Sequence, residues 1–234
     1  MVDPMNTNSR TQSAQSYHPA GRLVPVLGAS DGADAVGLAL RLGRFAASLG
    51  ETVLILDGCD GEVMERAGVI HARTLQDAIW GECALRDCLY VTANEHFSIT
   101  ALGDMPMGGA VGTFAALSLQ YDWVFAVPES GLSSASARLA AGADATVLAY
   151  ESEPEAAMRA FWMIDSIRSR NAAFDAHTVS FGDPSLAVSS ALMLERHVRE
   201  HLGGAPLYAG HESDRDRVET LLESMRASCA KKAA

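Results

Sequence analysis

The sequence is nearly without lysine. Its only two, Lys231 and Lys232, stand among the last four residues, so the folded body offers no amine to hold a phosphate or form a Schiff base. Cysteine is sparse as well. Cys59, Cys83, Cys88 and Cys229 make no CxxC pair and no metal-like spacing. They read as reduced thiols of a cytosolic protein. No uninterrupted apolar run approaches ~18 residues, which excludes the pattern of a membrane span. Basic excess is missing: the formal net charge is −11, the wrong sign for a nucleic-acid partner, since phosphate binding needs clustered Lys and Arg. The first twenty residues, MVDPMNTNSRTQSAQSYHPA, are polar with no apolar stretch of the signal-peptide kind. They read as a disordered lead-in.

The chain has 234 residues, 48% of them hydrophobic, which fits one medium domain with a sizeable core. The expected division is a polar lead-in over residues 1–21, an α/β domain over 22–213, and an amphipathic helix with a short basic tail over 214–234. From Leu23 onward, apolar runs alternate with helical patterns. LVPVLG, TVLILD, FSITAL, YDWVFAVP, DATVLAY, AHTVSF and APLYAG read as strands. Asp34–Leu49 reads as a helix stopped by Gly50, and TLQDAIWGECALRDCL as two short helices. Pro154 opens a helix expected to reach Phe174. Further helices are expected over Leu186–Leu202 and Asp214–Cys229. Strands alternating with helices imply a three-layer α/β/α domain with a mostly parallel sheet. Ligands of such sheets sit at the carboxyl ends of the strands, here Gly28–Asp34, Asp57–Gly61 and Pro128–Gly131.

The stretch VLGASDGADAVGLAL, Val26–Leu40, stands where a nucleotide-binding loop belongs. A phosphate loop needs backbone N–H groups, a Lys for the β/γ-phosphates and a Ser/Thr hydroxyl for Mg²⁺. Ala35 and Val36 occupy the positions of that Lys and hydroxyl. Asp31 and Asp34 add negative charge where phosphate charge would sit. Two like charges ~4 Å apart cost about 4 kcal/mol at an effective dielectric of ~20. Two other readings stay open. Gly28, Ser30 and Gly32 spell G-x-S-x-G between a strand and a helix, the context of a serine nucleophile elbow, with Asp57 or Asp60 and a later His to complete a triad. The plainer account is a tight turn that uses Gly for its geometry.

Over most of Leu23–Ile167 the chain resembles the MinD/ParA group of deviant Walker-A ATPases, whose P-loop NTPase-like (SIMIBI) fold is implied. The resemblance rests on VGLALRLGRFAASLGETVLILDG, TLQDAIWGECALRDCL, ITALGD, YDWVFAVPESG and AAGADATVLAYESEPEAAMRAFWMIDSI. GECALRD and SEPEAAM look most like the flagellar-number regulators of the group, the FlhG/FleN type. A weaker similarity runs to the tyrosine-kinase-like partners of polysaccharide co-polymerases, although the tyrosine cluster of the autokinases is missing. Against the family loop K-G-G-x-G-K-[ST], Ser30 stands at the signature lysine and Asp34 at the last glycine. Ala35 stands at the phosphate lysine and Val36 at the Mg²⁺ hydroxyl. Val127 replaces the acidic residue of the YDYIIID-type strand. Of the strand-end candidates Asp57, Asp60, Val127 and Glu129, only Asp57 matches a family carboxylate, and without a metal site it reads as a strand-end cap or loop anchor.

The resemblance with these departures implies a pseudo-ATPase with no nucleotide cofactor. It would be a monomer or a nucleotide-independent homodimer, acting as a cytoplasmic scaffold or regulator. Its partners would be proteins of membrane-associated envelope machinery. Flagellar or pilus placement is the first expectation and a polysaccharide co-polymerase the second. A residual ATPase using Arg41 or Arg44 is a third, although both are expected to point away from the loop. A Ser30 hydrolase is a fourth. Two smaller signals remain. His197, Glu200 and His201 spell H-x-x-E-H, which reads as zinc ligands with Glu212 or as a solvated helix face. Val218, Leu221, Leu222 and Met225 form an apolar stripe among acidic residues, suited to packing on the body or a partner helix rather than on anionic lipid.

Overall fold

The computed structural model of the chain describes residues 21–92, 96–105 and 111–233. Apart from Gly21, the lead-in lies outside these residues. The first strand, β1 (Arg22–Gly28), is buried over its last six residues. Asp34 then caps α1 (Ala35–Ser48), its side chain accepting from Gly37 N. The helix ends at Gly50, whose φ of +84° is cheap for glycine alone. β2 (Val53–Gly58) is buried along VLILD, the continuous apolar run of a strand covered on both faces.

Next come α2 (Glu62–Arg66), then α3 (Leu75–Ile79), opened by a Thr74–Asp77 capping box, and a 3-10 turn at Leu85–Cys88. β3 (Tyr90–Val91), β4 (Ser98–Ala101), α4 (Val111–Ser118), β5 (Trp123–Pro128) and α5 (Ser134–Gly142) follow. The chain closes with β6 (Val147–Glu151), α6 (Pro154–Arg168), β7 (His177–Phe181), α7 (Pro184–Leu202), β8 (Leu207–His211) and α8 (Arg217–Ala233).

Several boundaries differ from the sequence reading. α2 and α4 were not expected. α6 stops at Arg168 rather than near Phe174, because the chain turns there to bury Phe174 at 3% exposure. Arg168 Nε donates to the Phe174 carbonyl at 2.9 Å and Asn171 Nδ2 to that of Ala141 at 2.8 Å, which hold the turn. α7 begins two residues early because Asp183 caps Ser185 N and Pro184 takes the first helical position. α8 begins at Arg217, since the Asp214 carboxylate accepts from His211 N (2.7 Å) in a turn.

The eight strands form one sheet in the order β3-β4-β2-β5-β1-β6-β7-β8. Every pairing is parallel except β3 with β4. α1, α2 and α8 bury one face, with Leu38, Leu42, Leu221, Leu222 and Met225 in its core. α3 to α7 bury the other. The chain leaves β1 toward the first face and leaves the neighbouring β5 toward the second. That reversal opens a crevice at the carboxyl ends of adjacent strands. The loops that enter it are Ala29–Asp34, Cys59–Gly61, Leu102–Met105 and Glu129–Ser133.

Candidate functional site

Asp57, 2% exposed, is the penultimate residue of β2 and anchors the loop that follows. Its Oδ1 accepts from Cys59 N (3.1 Å) and Cys59 Sγ (3.2 Å), and its Oδ2 from Met64 N (2.9 Å). Both oxygens are therefore spent on tying the loop to α2. Burial and the adjacent Asp57 charge push the Cys59 thiol far above the ordinary range, so the sulfur stays protonated. Asp60 follows with φ +55°, a left-handed conformation that Asp tolerates. It faces the crevice, which has three lobes of about 440, 340 and 210 Å³, and Asp60 lines each of them. Glu129 and Asp104 join it in the largest lobe. Val127 is 1% exposed inside the core of β5, although it also touches the smallest lobe.

Three N–H groups of the loop after β1 are taken by carbonyls of the chain. Ala29 N donates to the Ala149 carbonyl (2.8 Å), Ala33 N to that of Ser30 (3.1 Å), and Ala35 N to that of Ala33 (2.7 Å). Ala35 and Val36 are each 6% exposed and sit in the core at the head of α1. Gly28 and Gly32 do not carry positive φ, so turn geometry is not what requires glycine. Close approach is. A Cβ on Gly28 would lie 3.3 Å from the Ala33 carbonyl oxygen and from Ser130 Oγ. A Cβ on Gly32 would fall 2.0 Å from Oε1 of Glu151, the last residue of β6. The Glu151 carboxylate thus rests directly on the loop.

The head of α1 already holds an anion. Asp34 Oδ1 accepts from Gly37 N at 2.9 Å and from Arg66 Nη1 at 2.5 Å. Arg66 also pairs with Glu62 at 2.6 Å. Arg41 Nη1 lies 3.9 Å from Asp34 Oδ2, which corrects the expectation that Arg41 points away. Helical side chains lean toward the N-terminus, and arginine is long enough to cover almost two turns. Asp31 and Gly32 are exposed at the loop's tip. Ser30 Oγ is buried without a hydrogen-bond partner, so no base is hydrogen-bonded to it as a nucleophile elbow would use.

The remaining sequence motif forms a ring cluster. His197 and His201 stand 6.2 Å apart, both edge-on to Phe161, and His197 Nδ1 contacts the Met193 carbonyl at 2.8 Å. Among the described residues, no three His, Cys, Asp or Glu side chains are grouped to hold a metal ion.

Sequence reasoning missed Arg66 and Glu151. Arg66 carried one usable signal, its i,i+4 spacing from Glu62 on a short amphipathic stretch. Glu151 carried only its place after a strand.

No protein-family model matches the sequence, and no curated protein does. Solved structures do match its shape. The MinD cell division ATPase of Pyrococcus furiosus superposes with a TM-score of 0.65 over 92% of this chain and 100% of its own, at 14% identity. The MinC:MinD cell division complex of Aquifex aeolicus matches at 0.64 over 91% and 96%, with 12% identity. Cobyrinic acid a,c-diamide synthase of Mycobacterium smegmatis, solved with ADP and magnesium, matches at 0.64 over 92% and 96%, also with 12% identity. The chain has the fold of the MinD-type ATPases. These likenesses reach across nearly the full length of both partners. The MinD-type fold here carries a loop after β1 whose first helical turn is apolar and whose cap is a carboxylate.

Proposed function

We propose that the chain is a non-catalytic, MinD-type pseudo-ATPase that works as a scaffold or regulator through protein contacts. The observation that carries the reading is the occupied head of α1. The Asp34 carboxylate takes the anion position there, paired with Arg66, while the Glu151 carboxylate lies beside Gly32. A helix N-terminus favours one anion. A nucleotide phosphate arriving there would meet two carboxylates. Ala35 and Val36 supply neither a cation nor an Mg²⁺ hydroxyl.

On this reading the loop is held in one state by the chain itself, and assembly is independent of ATP. The structure solved with MinC illustrates that a protein of this fold takes a protein partner. Here α6 presents Pro154, Met158 and a 57% exposed Trp162 along one outward face, the aromatic and Met character that partner surfaces favour. The process we assign first is flagellar or pilus placement in the bacterial envelope, on the strength of GECALRD and SEPEAAM. The alternative is a polysaccharide co-polymerase complex.

Sedimentation velocity with and without Mg-ATP tests the reading. We expect one sedimentation coefficient in both conditions. An ATP-induced shift from monomer to dimer would overturn it. Affinity purification from membranes then separates the processes, with polar or flagellar proteins expected for the first and glycan-export proteins for the second.

A further inference from the structure

α6 carries an apolar stripe on its outward side. Pro154, Met158 and Trp162 follow one another at i, i+4 and i+8, one line along the helix. Trp162 is 57% exposed, and the stripe walls a shallow depression of about 440 Å³ with Glu155 and Arg159 along one rim. Each of these two follows a stripe residue by one position, so both stand on the same flank. Both are exposed. They have the i,i+4 spacing at which a helix pairs Glu with Arg, yet among the described residues neither side chain makes an ion pair or a hydrogen bond. The opposite side of α6 is spent in the core, where Ala160, Ile164 and Ile167 are buried.

We infer that this stripe is the contact of a homodimer, in which α6 packs antiparallel on α6 of a second copy across a two-fold axis beside Ala157 and Met158. The helix is self-complementary under that operation, as an isologous contact requires. Residue 154 pairs with 162, 158 with itself and 155 with 159, and the three midpoints agree to within one residue, about 1.5 Å of helix rise. Trp162 of one copy covers Pro154 of the other. The two Met158 side chains meet at the centre, where flexible thioethers fill the space beside the rings. Glu155 lies level with Arg159 of the second copy on the same flank, twice per dimer. A partner of other chemistry has to match both stripe and flank, whereas a second copy does so by symmetry. Charge selects the place. At a net charge of −11 the copies repel over most of their surface, but from Pro154 to Trp162 one Glu balances one Arg. One helix against one helix is a small interface, so the dimer is weak, with a Kd of about 10–100 µM. Resting on the reading of α6 as a contact face, the dimer takes nothing from the phosphate loop.

Sedimentation velocity of the full chain without nucleotide, over a concentration series up to about 200 µM, tests the dimer. We expect a monomer–dimer equilibrium. Trp162→Asp should weaken it about tenfold or more. Glu155→Arg and Arg159→Glu should each weaken it about fivefold, by setting like charges face to face, and the double swap should return the Kd to within about twofold of the original. The altered residues are exposed, so each variant should keep the urea midpoint of the original chain. A dimer that survives Trp162→Asp, or a double swap no better than its single parents, would overturn the homodimer. A chain that stays monomeric throughout the series, with and without Mg-ATP, would overturn it and leave the pseudo-ATPase reading standing. A dimer formed only with Mg-ATP would overturn both.

Discussion

At the scale of single residues, the site depends on where carboxylates have replaced other groups. Asp34 caps α1 and receives Arg66, so Asp34→Ala removes a cap and leaves Arg66 with Glu62 alone. A cap alone is worth about 0.5–2 kcal/mol. We expect the unfolding free energy from urea titration to fall by that amount, with a lower midpoint and the m-value unchanged. An unchanged midpoint would mean that the contact contributes nothing. Gly32→Ala should be nearly neutral, because its methyl would meet only the carboxylate end of the Glu151 side chain, which can swing aside. A loss above about 1 kcal/mol in chemical denaturation would show that Glu151 is fixed against the loop. Cys59 gives a chemical check. Its thiolate is disfavoured by burial and by Asp57, so the neutral thiol persists through mildly alkaline pH. Iodoacetamide at such pH should label it slowly, and Asp57→Asn should speed the labelling if the chain still folds. Fast labelling of the unmodified chain would contradict the geometry.

At the scale of elements, α8 is held by packing and by polar ties at Arg217, Ser224 and Arg226. Leu221, Leu222 and Met225 are fully buried against α1 and the sheet. Glu51 Oε2 accepts from Trp123 Nε1 (2.9 Å) on β5 and from Arg226 Nη2 (2.7 Å) on α8. Leu222→Ala should cost about 2–5 kcal/mol by lost burial and cavity formation, read from chemical denaturation. A cost under about 1 kcal/mol would mean that α8 is only loosely docked. Most elements were legible in the sequence because burial on both faces writes itself as runs such as VLILD, and caps such as Asp34 and Pro154 mark helix starts. What was not legible depended on contacts across the fold. α6 ends early because Phe174 is drawn into the core. α2 is five residues long, too short for periodicity to register. Arg66 and Glu151 reach the loop from elements 30 and more than 100 residues away, and no local pattern announces such an approach. The loop's substitutions, by contrast, could be read directly, because its chemistry is fixed by residue type at consecutive positions.

At the scale of the whole molecule, the sheet order and the reversal between β1 and β5 build the crevice that this fold uses for ligands, while the chain lines it with Asp60, Asp104 and Glu129. A cleft of that sign repels polyphosphate rather than gathering it. On the proposed reading Asp34, with Arg66, fills the head of α1 and Glu151 lies against the loop, which leaves no place for a nucleotide phosphate. Calorimetric titration of Mg-ATP and Mg-ADP into the purified full chain, with ligand taken to about 1 mM, tests this, and no saturable heat is expected. Micromolar binding that tightens in Asp34→Gly would contradict it, since the loop would then still cradle phosphate and Asp34 would be a brake on a working nucleotide site.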